Sequence, residues 1–108
     1  MRVFTTGATR DTDAEKHDYD GFFSPAVLRR FGEYMHQHRK QADGKLRASD
    51  NWQKGIPRDV YRKSAWRHFI DWWEAHREGD HARCMEAAAA LLFNVMGDMH
   101  EALKENKP

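Results

Sequence analysis

The sequence predicts an all-α protein with three main helices. Apolar residues recur at spacings of three and four over long stretches, and no stretch alternates apolar and polar residues as a half-buried strand would. The chain has 108 residues, which is enough for one domain at roughly 100 to 200 residues each. We therefore predict a single helical domain over residues 1–108, with an irregular arm at residues 1–23 and a long loop at residues 42–57.

The first helix is predicted over residues 24–41. Ser24 can cap the free amides of a helix N-terminus, and Pro25 has the backbone angle of a first helical turn. The apolar residues of this segment share one face because of their spacing. They are Val27, Leu28, Phe31, Tyr34 and Met35. Residues 1–23 lack such a period, so we expect an ordered or partly ordered arm there.

Two longer helices are predicted over residues 58–78 and 80–104. Pro57 precedes the first of them, and Gly79 is the kind of residue that ends a helix. Asp80 can then cap the next helix. Because the turn between the two helices is short, we expect them to pack against each other in antiparallel directions.

The chain carries more large apolar side chains than three helices can cover. Aromatic residues make up 12% of the sequence, although its mean hydropathy is −0.95. The surplus includes Trp66, Phe69, Trp72, Trp73 and Phe93. Burial between copies of one chain is the usual remedy for such a surplus. We therefore predict that the bundle is completed by homo-oligomerisation, as a dimer.

The composition argues against several functional classes. The net charge is +1 at pH 7, so the overall charge does not favour a nucleic-acid partner. No apolar run is long enough to span a membrane, and the first residues lack the apolar stretch of a signal peptide. The expected location is the cytoplasm. The single cysteine, Cys84, lies in a helical context and is expected to pack rather than to react.

Two pairs of acids form the first candidate site. Asp71 and Glu74 are three residues apart on the second helix, and Asp98 and Glu101 are three apart on the third. If the two pairs face each other, their oxygens suit Mg²⁺ or Mn²⁺. The alternative interpretation is that these acids are solvated surface charges with Arg or Lys neighbours.

A second candidate site combines histidines with carboxylates near the end of the second helix. His68 and Asp71 are on one helix face, and Asp80 and His81 follow at the start of the third helix. Histidine and carboxylate ligands suit Zn²⁺, Mn²⁺ or iron. Against this stands the N-cap role of Asp80 and the common occurrence of hydrogen-bonded histidines, such as His68 here, on apolar faces.

A third candidate site is formed by cations and aromatic residues outside the helices. Its members are Arg10, Lys16, Tyr19, Asn51, Trp52 and Lys54. Arginine and lysine bind phosphates, and a tryptophan ring offers a face on which a base can stack. The alternative is that Trp52 packs the loop onto the bundle while the cations remain solvated.

The order of several short motifs resembles a phage-borne family, the N-terminal domain of dATP/dGTP diphosphohydrolases. The resemblance covers about Gly7 to Leu92, and its most specific pieces are the NWQKGIP segment and the Ser-Ala-x-Arg-His segment. The matching positions are Gly7-Ala8, Arg10-Asp11-Thr12, Lys16, Tyr19-Asp20, Ser24-Pro25, Asn51 to Pro57, Tyr61, Ser64-Ala65, Arg67-His68, Trp72 to Glu74 and Asp80-His81.

This resemblance implies a small helical phage protein of deoxynucleotide metabolism. Such a protein is similar to the all-α MazG-like pyrophosphohydrolases, which cleave nucleoside triphosphates to monophosphates with Mg²⁺ or Mn²⁺. Those enzymes use E-x-x-E and E-x-x-D motifs, which the two D-x-x-E pairs here approximate. A further departure is at Ala87-Ala88, where the family pattern has Trp-Asn.

The leading hypothesis is metal-dependent hydrolysis of a purine deoxynucleoside triphosphate. The residues assigned to the metal are Asp71, Glu74, His81, Asp98 and Glu101, and those assigned to catalysis are His68, Asp71 and Glu74. The residues assigned to the substrate are Arg10, Lys16, Tyr19, Asn51, Trp52, Lys54, Tyr61 and Arg67. Carboxylate-bound metal would polarise the phosphate and generate hydroxide, while the cations would stabilise phosphate charge.

Two alternatives belong to other classes of protein. The chain could bind and sequester nucleotides without cleaving them, as a phage protein acting against host defence would do. It could instead be an interaction module that binds a host protein through Trp66 and Trp73. Metal-independent binding of an intact nucleotide distinguishes the first alternative, and co-purification with a host protein distinguishes the second.

Overall fold

The computed structural model describes residues 1–105 and consists mainly of helices, which confirms the all-α class. In chain order its elements are β1 (Arg2–Val3), β2 (Thr9–Arg10), α1 (Tyr19–Phe22), α2 (Pro25–Gln37), a 3₁₀ helix (Asn51–Lys54), α3 (Arg58–Glu78) and α4 (His81–Glu105). Within these 105 residues, no helix is long and apolar enough to cross a membrane.

The centre of the fold is an antiparallel hairpin of α3 and α4, in which α3 has the predicted bounds. Gly79 ends α3 in the left-handed conformation, with φ of 69°, a conformation that glycine adopts without steric cost. Asp80 then accepts a hydrogen bond from the Arg83 amide at 3.1 Å and thereby caps α4. The ring of Tyr61 is buried between the helices, where it lies against Gly97.

Helix α2 packs across α4 and supplies the remaining core. Ser24 Oγ accepts a hydrogen bond from the Val27 amide at 3.3 Å, as expected for an N-cap. The cluster between the two helices consists of Phe31, Tyr34, Met35, Ala89, Ala90 and Phe93. Next to Phe31, in the middle of α2, Arg30 Nη2 donates to Glu86 Oε1 at 2.6 Å, so one ion pair and one small apolar cluster hold α2 in place.

Helix α2 ends at Gln37, and the prediction that it continues to residue 41 is wrong. The chain instead folds back on itself, with Lys40 and Leu46 paired in an antiparallel bridge. The Arg47 amide donates to the Arg39 carbonyl at 2.8 Å, and Gly44 supplies a positive φ of 83° at the turn. These hydrogen bonds replace those of a further helical turn.

The arm contains more regular structure than its sequence pattern predicts. Strands β1 and β2 pair in antiparallel register, with Arg2 opposite Arg10, and Asp18 caps α1 by accepting from the Gly21 amide at 3.0 Å. Strands of two residues are too short to show a period. The ion pair, side-chain hydrogen bonds and ring contacts of the arm all lie within residues 2–23.

The core of one chain is thin. The buried hydrophobic residues among those described are Tyr34, Tyr61, Ala75, Ala87, Ala89 and Ala90. The accessible surface is 8867 Å², whereas about 6,200 Å² is typical of a folded monomer of this mass. The radius of gyration is 19.1 Å, against about 13 Å for a compact domain of this length. A large apolar surface therefore remains uncovered in a single chain.

The close contact between Gly97 and Tyr61 yields a stability prediction. A Cβ atom at position 97 would overlap the Tyr61 ring, so Gly97→Ala should lower the free energy of unfolding by about 1–3 kcal/mol. The matched control is Gly32→Ala on α2, where a Cβ atom meets no neighbour and helix propensity should raise stability by about 0.5–1 kcal/mol. Urea unfolding followed by circular dichroism measures both, and equal effects would contradict this account of the hairpin.

Candidate functional site

The two acids predicted on α4 lie beside the start of α3, and each has a cationic partner. Asp98 Oδ1 accepts from Arg58 Nε at 2.8 Å and lies 3.4 Å from Arg62 Nε. Glu101 Oε1 accepts from Lys104 Nζ at 3.1 Å. The hydrogen bond from Arg58 and the charge of Arg62 hold the pKa of Asp98 below its usual value. The Asp98 carboxylate is therefore ionised at neutral pH, and both carboxylates are partly buried.

The acids predicted on α3 lie towards the opposite end of the hairpin. Glu74 accepts from Arg83 Nη2 close to the turn that joins the helices, and Asp71 Oδ2 is 3.8 Å from His68 Nδ1. Asp71 follows Arg62, the neighbour of Asp98, by nine residues, which is about 14 Å along a helix. Within one chain, the structure thus does not bring the α3 pair together with the α4 pair.

The histidine-containing candidate is likewise separated into its parts. Asp80 acts as the N-cap of α4, which is the alternative to metal binding that its position in the sequence predicts. His81 is exposed at the first position of α4. Among residues 1–105, the structure shows no group of three or more histidine, cysteine, aspartate or glutamate side chains arranged to hold a metal ion.

A pocket of about 450 Å³ lies where the end of α2, the following connector and α4 meet. We call it the loop pocket. Its lining includes Tyr34, His38, Arg39, Arg47, Ser49, Asn51, Trp52 and Phe93. Pockets of this size are typical of small-molecule sites. The loop pocket contains two of the predicted substrate residues, Asn51 and Trp52.

Two arginines bring positive charge to the loop pocket. The turn after α2 places Arg39 and Arg47 opposite each other, and Arg39 Nε donates to the Arg47 carbonyl at 2.8 Å. Neither guanidinium forms an ion pair with another of the described residues. Guanidinium groups bind phosphates through several N–H donors at once, so this pair can receive an anion.

Aromatic rings form another part of the wall. The Trp52 ring lies edge-on to His100, with 4.8 Å between ring centroids, and to Phe93, with 6.1 Å. The His38 ring lies 4.0 Å from that of Tyr34. His38 Nδ1 is 2.8 Å from the Tyr34 carbonyl, which can only accept, so Nδ1 carries the hydrogen. The Nε2 atom of neutral His38 is thereby left as an acceptor.

The other predicted substrate residues lie apart from the loop pocket lining. Arg10, Lys16 and Tyr19 belong to the arm, and Lys54 is exposed at the end of the 3₁₀ helix. Arg67 Nη2 donates to Ser64 Oγ on α3 at 2.9 Å. Tyr61 is 1% exposed, so packing leaves no open ring face for a base. Burial raises its pKa, with a further contribution from Glu101.

The sequence pattern does not reveal the arginine pair or His38. It predicts that residues 38–41 belong to the first helix, in which Arg39 is one surface cation among many. The available signal was Gly44 between two short polar runs, because glycine marks turns that bring flanking residues together.

Comparisons of the chain with models of protein families, with curated proteins and with solved structures gave no match.

The environment of Asp98 yields a prediction of pH dependence. A carboxyl group whose pKa is lowered by folding stabilises the protein above its unfolded pKa, and this contribution disappears as the pH falls. Between about pH 7 and about pH 3, the wild type should therefore lose more unfolding free energy than Asp98→Asn, which has no such proton to bind. Urea titrations at both pH values provide the measurement.

The control for this pH experiment is Glu33→Gln, which removes an exposed carboxylate from α2. It should lose about as much stability as the wild type over the same pH interval. A wild type and an Asp98→Asn variant that lose stability in parallel would show that the ion pair with Arg58 contributes nothing.

Proposed function

We propose that this protein binds a purine deoxynucleoside triphosphate in the loop pocket and hydrolyses it with Mg²⁺ or Mn²⁺ to the monophosphate and pyrophosphate. The observation that carries the proposal is the combination of Arg39 and Arg47 with the Trp52 ring around one cavity. Phosphate and base are the two parts of a nucleotide that such groups recognise. The motif resemblance to dATP/dGTP diphosphohydrolases supplies the purine deoxynucleotide class.

In this proposal the two ends of the nucleotide have different partners. The base stacks on Trp52, whose position is fixed by its contacts with Phe93 and His100. The phosphates bind the guanidinium groups of Arg39 and Arg47, which have no competing carboxylate among the described residues. The turn that pairs these arginines thus places the positive charge before the ligand arrives, which lowers the entropy cost of binding.

The acids of α4 are the proposed metal ligands. Glu101 follows His100, which contacts Trp52, and Lys104 links Glu101 to the Gln53 carbonyl of the 3₁₀ helix at 3.2 Å. Carboxylate oxygens of Asp98 and Glu101 have the chemistry that Mg²⁺ prefers. Neither acid lines the loop pocket, so a divalent ion bound there would meet only a part of the triphosphate that extends beyond the pocket, where it would neutralise phosphate charge and lower the pKa of an attacking water. Arg58 and Lys104, the present partners of these acids, supply further positive charge.

We also propose that the protein acts as a homo-oligomer in the cytoplasm, which is the host cytoplasm if the chain is phage-borne. The uncovered apolar surface of a single chain supports self-association.

Nucleotide binding without hydrolysis is the second candidate function. It is favoured by the ion pairs of the predicted metal ligands, since Asp98 and Glu74 already have guanidinium partners. A protein that sequesters a nucleotide needs the arginine pair and the tryptophan, and it needs no metal ligands.

Binding is tested by titration calorimetry with dATP and dGTP in metal-free buffer. Arg39→Gln should raise the dissociation constant by about 10- to 100-fold, because hydrogen bonds to charged groups contribute about 1.5–3 kcal/mol. Arg29→Gln is the matched control, since it removes an exposed arginine from α2 away from the pocket. Equal affinities of the two variants, or no binding by the wild type, would contradict the assignment of the loop pocket.

Hydrolysis is tested with Mg²⁺ or Mn²⁺ by ion-exchange separation of the products. Glu101→Gln should reduce turnover by at least 100-fold, while binding in metal-free buffer changes little, because the carboxylate acts through the metal. The control variant Glu33→Gln should retain full turnover. Intact nucleotide after incubation with the wild type would exclude catalysis and favour nucleotide sequestration. Loss of turnover in Glu74→Gln but not in Glu101→Gln would instead indicate that the metal binds on α3.

A further inference from the structure

Asn51 brings a carboxamide group to the wall of the loop pocket, next to Trp52. Its backbone amide donates to the Ala48 carbonyl at 3.1 Å, so the start of the 3₁₀ helix fixes its main chain. Its side chain is half-buried and takes part in no hydrogen bond within residues 1–105. The donor and the acceptor of this carboxamide are therefore both available to a ligand.

A carboxamide distinguishes the two purines by their edges. Adenine presents the N6 amino donor beside the N7 acceptor, whereas guanine presents two acceptors, O6 and N7. The Asn51 side chain offers one acceptor, Oδ1, beside one donor group, Nδ2. It can therefore form two hydrogen bonds with adenine, while with guanine its Oδ1 atom would face the O6 acceptor. Because Asn51 and Trp52 are adjacent and line one pocket, a base stacked on Trp52 has its edge within reach of this carboxamide.

The other polar groups of the loop pocket do not reverse this preference. The Nε2 atom of neutral His38 accepts a single hydrogen bond, which the exocyclic amino group of either purine can donate. None of the described residues that line the pocket carries a carboxylate, the group that would pair with the N–H donors of guanine. Arginine does recognise O6 and N7 of guanine, but the proposed function engages Arg39 and Arg47 with the phosphates.

We propose that the loop pocket selects adenine over guanine and that Asn51 determines this preference. The base stacks on Trp52, Asn51 Nδ2 donates to N7, and Asn51 Oδ1 accepts from the N6 amino group. This inference rests on the proposed binding of a purine deoxynucleotide in the loop pocket and narrows that ligand class to adenine nucleotides.

The ratio of the dATP and dGTP dissociation constants, measured by titration calorimetry in metal-free buffer, tests this preference. The wild type should bind dATP about 5- to 150-fold more tightly, which is the discrimination that a bidentate pair provides. Asn51→Ala should remove the preference. The matched control Gln53→Ala removes an exposed carboxamide from the same 3₁₀ helix outside the pocket lining and should keep it. Equal affinities in the wild type, or tighter binding of dGTP, would overturn the proposal.

A modified ligand tests the contact with N7 and needs no variant that could fail to fold. In 7-deaza-dATP a C–H group replaces N7, so the wild type should bind it about 2- to 12-fold more weakly than dATP, as expected for one lost hydrogen bond. Asn51→Ala should bind the two ligands equally. A wild type that binds 7-deaza-dATP as tightly as dATP would show that Asn51 does not read the N7 edge, and would overturn the proposed contact.

The same titrations separate the base preference from nucleotide binding itself. If the wild type binds dATP and dGTP equally and Arg39→Gln weakens both, the loop pocket remains the nucleotide site and only the adenine preference is overturned. If the wild type binds neither nucleotide, the proposed function is overturned together with the preference.

Discussion

The contact of the Tyr61 ring with Gly97 is the constraint on which the rest of this structure depends. It allows α3 and α4 to approach closely, and the other buried residues of α4 are alanine and asparagine. The seam sets the register of the hairpin, and the register decides which charges meet: Arg58 reaches Asp98, and Arg83 reaches Glu74. Both the separation of the acids and the position of α4 beside the loop pocket follow from it.

The connector between α2 and α3 adds to this rigid hairpin a region with different physical properties. It buries little apolar surface, and its shape is set by the backbone pairing of Lys40 with Leu46 and by the 3₁₀ helix that carries Trp52. Such segments form binding sites well, because the polar groups that they present are not consumed by packing. The rigid helices then act as a scaffold for the loop pocket.

The sequence predicted the parts of the fold that depend on local rules. Pro57, Gly79 and Asp80 mark helix ends by their own conformational preferences, so the bounds of α3 and the start of α4 could be read directly. Residue spacing also shows which face of a helix a carboxylate occupies. It does not show which residues of a second helix lie beside that carboxylate, because this depends on how the two helices are aligned along their axes. The same limit hid the meeting of Arg39 with Arg47, which requires a turn to form first.

The buried hydroxyl of Tyr61 has a consequence of its own. It has no hydrogen-bond partner among the described residues, and a buried polar group without a partner lowers stability by about 1–3 kcal/mol. Phenylalanine would fill the same space against Gly97 without that penalty. The demands of folding a single chain therefore do not by themselves account for an oxygen atom at the centre of the helical seam.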